Sequence, residues 1–135
     1  MAEVTGVGGR QAYTEKPDNP SVAYIRVDPS GVVHTLPVAT AVTSNTTTAP
    51  VRGVSGVKNF QWKVSGTGAV TQTVVLKGSF DSDGSSPTDL CTITLSGTAP
   101  VYDVCSPFTA PFPYLFVTTT NTTGTGASGT GMVGY

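Results

Sequence analysis

The chain has 135 residues, only 11% of them charged (7 Lys/Arg against 8 Asp/Glu), for a net charge of −1. That balance leaves no basic stripe to neutralise phosphates, so nucleic acid is not an expected partner. No apolar run approaches the roughly 20 residues that a membrane-spanning helix needs, so no membrane partner is expected either. The length suits one domain with room for an added arm. Thr and Val together supply 42 residues, and β-branched side chains fit a pleated surface better than a helix. An all-β fold follows. Met1-Ala2-Glu3-Val4 has neither a charged n-region nor an apolar h-region, so no signal peptide is expected and synthesis is placed in a cytoplasm. Low charge on a Thr-rich surface implies that partners cover part of it.

Residues 1–20 carry little periodicity. Gly6, Gly8, Gly9 and Pro17-Asp18-Asn19-Pro20 read as an extended arm with turns. Ser21 to Pro37 reads as a hairpin: strand Val22–Val27, a type I turn at Asp28-Pro29-Ser30-Gly31, and return strand Val32–Leu36 ended by Pro37. Residues 38–53, with Thr43-Ser44-Asn45-Thr46-Thr47-Thr48, read as a linker without a core pattern. A boundary is placed near Gly53, giving an N-terminal arm and hairpin at 1–53 and a β-sandwich domain at 54–135.

From Val54 the alternation sharpens. Phe60, Trp62 and Val64 share one face, with Gln61 and Lys63 on the other. Gly66-Thr67-Gly68 is expected to turn the chain, and Val70, Val74 and Leu76 continue toward Phe80. Asp81 to Pro87 is a loop. Cys91, Ile93 and Leu95 face inward on the next strand, and residues 97–113 form a longer connection. Tyr114-Leu115-Phe116-Val117 is apolar on both faces, so it is either central or covered by a partner. Asn121-Thr122-Thr123-Gly124 turns into a last strand near Ala127 to Tyr135. Five or six strands after residue 54 suit a small antiparallel β-sandwich or jelly-roll-like domain preceded by an extended arm and β-hairpin.

The residue types that carry chemistry are few. Oxygen-bearing side chains at Asp81, Asp83, Ser85 and Asp89 alternate as a calcium loop would. However, Gly84 is at the wrong position for an EF-hand and Thr92 stands where a bidentate Glu belongs. A solvated Asp-Gly turn is the favoured reading. Cys91 and Cys105 are expected to be free and buried, as cysteines of cytoplasmically made proteins usually are, although a strand-to-loop disulfide is geometrically easy. With one histidine and no CxxC, a Cys/His zinc site is excluded. His34 has no nucleophile motif near it and reads as a structural or surface residue. Two of Glu3, Glu15, Asp28, Asp81, Asp83, Asp89 and Asp103 could meet in space as a glycoside-hydrolysis pair, but most lie in loops or the arm, so that reading is disfavoured. Trp62 reads as core, whereas Tyr102, Tyr114 and Tyr135 are freer to stack on a sugar. No catalytic, cofactor-binding or metal-binding set is assigned, and the chain is read as a non-enzyme without cofactor.

Phe60 to Tyr135 also carries a recognisable order of features. A Trp strand leads into Gly66–Asp81 and then the Asp-Gly loop. Pro113, Tyr114 and Val117 begin a Pro-Tyr-x-x-x-Val strand, and a Thr-Gly turn precedes a short strand ending in Gly134-Tyr135. This order resembles a β-sandwich pattern of tailed-bacteriophage virion proteins, of the head decoration (cement) and tail or fibre accessory types. The Trp usual after the Asp-Gly loop is replaced by Ser86-Pro87, so no ligand site is carried over. The resemblance implies a virion structural protein made in the host cytoplasm. Its expected partners are the major capsid protein and itself, as a homotrimer or other homo-oligomer, with the arm reaching over neighbours. A tail or fibre module and a carbohydrate-binding sandwich are the alternatives.

Overall fold

The structure, a computed structural model, describes residues 34–135. The expected arm at 1–20, and the hairpin at 21–37 except for its last residues, lie outside the described residues. Seven antiparallel strands follow in chain order: β1 (Thr35–Val42), β2 (Val51–Arg52), β3 (Val57–Ser79), β4 (Thr88–Thr98), β5 (Val101–Val104), β6 (Phe108–Thr109) and β7 (Tyr114–Gly134). Five of them come after residue 54, but they are not the expected ones: 57–79 and 114–134 are each one strand in place of the expected two, and β5 and β6 lie within 97–113, the expected connection.

Two strands of unusual length, β3 and β7, organise everything else. They pair along nearly their whole course, from Asn59↔Gly134 to Ser79↔Tyr114. Side chains alternate between the two faces of a strand, and on β3 the even-numbered positions point inward: Phe60, Trp62, Val64, Val70, Val74 and Leu76 are all buried. The phase is the same before and after residues 65–69, which are exposed. Gly66-Thr67-Gly68 is therefore a bend within one strand and not a turn between two. Asn121 to Gly124 likewise bends β7 without ending it. At the bend the β3–β7 register shifts between Ser65 and Thr73. Gly68 (φ 71°) and Gly126 (φ 66°) hold a backbone conformation that only glycine adopts freely.

The bend folds the sheet onto itself. Ten residues of straight strand separate their ends by about 33 Å, yet Trp62 Nε1–H donates to Gln72 Oε1 at 2.9 Å, with both side chains fully buried. One layer consists of β1, residues 128–134 of β7, residues 57–65 of β3, and β5. The other consists of β2, residues 114–125 of β7, residues 67–79 of β3, and β4. The result is a small antiparallel β-sandwich. Its core joins Val38, Val42, Phe60, Trp62, Val64, Val74, Leu76, Ile93, Leu115, Val117 and Val133. The β7 backbone lies directly over the indole: a Cβ on Gly131 would come within 2.6 Å of Trp62 and 2.8 Å of Phe60.

Two further expectations are corrected. Pro37 does not end a strand; it lies inside β1, opposite Met132 on β7. Residues 38–53 are not a linker, since Val38, Ala39 and Val42 enter the core. The polar run after them is tied to β7 by hydrogen bonds in place of apolar burial. Thr48 N–H donates to the Val117 carbonyl (2.9 Å), Thr119 N–H to Thr46 (2.8 Å), and the buried Thr119 hydroxyl to Ser44 (2.7 Å). The sheet thus runs through both sides of Gly53. Of the two readings of 114–117, central or covered by a partner, the structure bears out the first, since the stretch pairs with β2 on one side and β3 on the other. Leu115 and Val117 face the core, and Phe116 on the other face lies under Pro50 and Gly84 of the Asp81–Pro87 loop.

Candidate functional site

The Asp81–Asp89 loop closes on itself. Gly84 N–H donates to the Asp81 carbonyl (3.0 Å), and the Ser85 hydroxyl reaches both Asp81 Oδ2 (3.0 Å) and Asp83 Oδ1 (2.8 Å). Ser85 N–H adds a bond to Asp83 Oδ1 (3.0 Å). These donors hold the Asp83 carboxyl below the usual carboxylate range, the backbone bond most of all. Asp89 is engaged by Lys77 across β3 and β4. Asp81, Asp83 and Ser85 thus bond within a turn that roofs Phe116, Asp89 stands apart on β4, and among the described residues no three His, Cys, Asp or Glu side chains converge.

Cys91 and Cys105 are joined in a disulfide, with Cα atoms 6.5 Å apart, which corrects the reading of two free thiols. Cys91 is on β4 in one layer. Cys105 follows β5 in the other, and its N–H donates to the Phe60 carbonyl (2.9 Å). The bond therefore staples the two layers along one side.

His34 is exposed, its ring 5.7 Å from that of Tyr135, whose N–H donates to the His34 carbonyl (2.9 Å). Tyr114 lies under the Arg52 guanidinium, 5.6 Å from ring centroid to Cζ. Tyr102 is 65% exposed on β5, opposite Lys63. The three tyrosines thus have separate neighbours and make no shared platform by stacking on one another. Asp103 Oδ1 accepts from the N–H of Val104, the next residue on β5 (2.8 Å). Glu3, Glu15 and Asp28 lie outside the described residues.

Two features escape sequence reading because they depend on strand register. The first is an apolar row on the outer face of the β1–β5 layer. Pro37, Met132, Gln61 and Val104 stand opposite one another across four strands. Met132 (40% exposed) and Val104 (45%) flank a hollow of about 300 Å³, which Thr35, Asn59 and Gly134 complete. The second is Lys58, buried at 2% exposure because it sits on the inward phase of β3. Its ammonium donates to the carbonyls of Gly56 (2.8 Å) and Ala110 (3.2 Å) and lies 5.7 Å from the Phe108 ring centroid. Burial pushes its pKa below the ordinary lysine value. Beside it, a hollow of about 200 Å³ is lined by Arg52, Val54, Ser55 and the Ala110–Pro113 segment. Phe80, 67% exposed, packs against Phe112 with the rings tilted by 53° and their centroids 5.0 Å apart.

The opposite layer presents hydroxyls. Thr47 and Thr118 (2.9 Å), Thr71 and Ser96 (3.2 Å), and Thr73 and Thr94 (3.3 Å) bond pairwise across strands. Comparison with protein families, with curated proteins and with solved structures finds no match for the chain.

Proposed function

We propose that this protein is a structural component of a tailed-phage particle that binds the outer surface of the head and reinforces contacts between capsid subunits. The observation that carries the reading is the combination of a filled, stapled interior with exposed apolar groups gathered on one outer face. Val104, Met132 and Tyr102 leave apolar surface in water on the β1–β5 layer, and grouped exposure of this kind marks a contact surface. Few charges oppose docking there: among the described residues of the paired strands Lys63, opposite Tyr102, is the charge on that face, since Asp103 stands opposite the inward Trp62. The sandwich offers rigidity and area in place of a reaction. Its effect is mechanical: each copy would add buried interface across a seam that internal pressure tends to open.

The test is to assemble particles with and without the protein and challenge them with heat and osmotic shock. The reading expects earlier rupture of particles that lack it, and recovery when purified protein is added back. A Met132→Lys, Val104→Lys double variant should fail to bind and fail to rescue. Equal resistance of the two kinds of particle overturns the reinforcing role. Copies confined to the tail would instead place the protein among tail or fibre modules.

A further inference from the structure

Among the described residues two long strands, β1 and β4, pair on one side only. An outer strand carries a row of unpaired N–H and C=O groups that invites another strand. Proteins usually guard such a row with proline, bulges, charge or brevity. β1 is guarded: Pro37 removes a donor, register shifts follow at Pro37/Ala39 and Ala39/Val42, and Ala41 adopts φ 52°. β5, β2 and β6 are only 4, 2 and 2 residues long. β4 has none of these devices over most of its length. From Cys91 to Thr98 it runs in unbroken register against Leu76 to Ala69, and that run contains neither proline nor charge. Its one charge, Asp89, lies beyond the register shift and is held by Lys77. Thr92, Thr94 and Ser96 on its outer face are small and exposed.

We propose that the free edge of β4 is a self-association site, where β4 of a second copy adds antiparallel about a two-fold axis perpendicular to the sheet. Such an axis keeps the same face outward in both copies, so opposed residues share parity. The strand is complementary to itself under that rule. With the axis at Thr94, Thr94 meets its own copy, Thr92 meets Ser96, and Ile93 meets Leu95. With the axis at Ile93, Thr92 meets Thr94 and Cys91 meets Leu95. Hydroxyl rows continue across the outer face and apolar rows across the inner one. In either register Asp89 faces an uncharged residue, Ala99 or Gly97, so no like charges oppose. A C2 contact of this kind is isologous and closed. The inference stands apart from capsid binding and is tested on the isolated chain.

The experiment measures the mass of the full chain by light scattering across a dilution series, for wild type and for two variants, Thr92→Lys/Thr94→Lys and Thr92→Glu/Thr94→Glu. Wild type is expected to carry the mass of two copies. Each variant alone sets like charges opposite in both registers and should fall to one copy, while an equal mixture of the two should return to two. Buried-indole emission from Trp62 checks that the variants fold. Amide exchange on wild type serves as the second measurement. The outward amides of Cys91–Thr98 should lose protection on dilution, and those of β1 should not. A wild-type chain that is monomeric throughout, or a dimer untouched by both variants, overturns the proposal. So does protection of β4 that ignores dilution, which would mean that another part of the same chain covers the edge.

Discussion

Gln72 is the most informative place to perturb the interior. Its amide is fully buried and makes three bonds: it accepts from Trp62 Nε1–H (2.9 Å) and donates to the Val42 carbonyl (3.2 Å) and to Thr122 Oγ1 (3.0 Å). One side chain thus ties β3 to itself across the fold, to β1 and to β7. Gln72→Leu keeps the volume and removes every bond. Thr122 is partly exposed and can turn to water, which leaves two orphans, the indole N–H and the Val42 carbonyl. Each unsatisfied buried group costs about 1–3 kcal/mol. The added apolar burial of leucine returns about 1–2 kcal/mol. The net loss is therefore about 0–5 kcal/mol, centred on about 2–3 kcal/mol. Urea unfolding followed by far-UV circular dichroism measures it. The same experiment on Trp62→Phe and on the double variant completes a cycle in which the smaller ring's void cancels. The double variant should be less damaged than the sum of the singles by about 1 kcal/mol or more, because removing both partners leaves no orphan between them. Strict additivity in that cycle would refute the account of a polar tie across the layers.

Three further outcomes are expected. Gly131→Ala drives a methyl into the Trp62 and Phe60 rings and should cost about 3 kcal/mol, the upper end for overpacking, read as a lowered urea midpoint. Cys105→Ser opens a bond between residues 14 apart and should cost about 3 kcal/mol by loop entropy; intact mass under non-reducing conditions checks that the bond is present in the wild type. Lys58 titrates below its ordinary value of 10.5 in the folded state because burial disfavours its charge. The unfolded chain then binds more protons between the lowered folded pKa and 10.5, so unfolding free energy should rise with pH across that window. Lys58→Met should flatten that rise relative to wild type, and equal slopes in the two proteins would contradict the assignment.

How far the fold could be read from the residues depends on what signals each strand. The inward row Phe60, Trp62, Val64, Val70, Val74 and Leu76 is legible because each member is apolar at period 2. Gln72 and Lys58 occupy the same phase but are polar, so their burial shows only when partners from distant segments are in place. The stretch 43–48 gives no apolar signal because it is held by Thr119 and the β7 backbone. A glycine pair in a Thr-rich run reads equally as a turn or as a bend. The two differ only in whether strand pairing persists across it, which is a long-range property. The same holds for the outer face: alternation sends Met132 and Val104 outward, but only the register sets them in one row with Pro37 and Gln61. For 114–117 the residues leave two readings open for a related reason, since the loop that lies over Phe116 comes from residues 81–87.

The bend shared by β3 and β7 has a kinetic meaning. Because the same two strands traverse both layers, neither layer exists without the other, and partial unfolding of one would strip the paired edge of its continuation. The sandwich should open as a single cooperative unit, with no half-folded species to populate. Assembly is correspondingly late on the ribosome. Until residues 114–134 have been made, the middle of β3 has no partner on its β7 side, and its Val-rich row stays available to other chains. A nascent chain stalled before Tyr114 would be the aggregation-prone species, whereas the finished one closes by long-range pairing at the slow pace of high contact order.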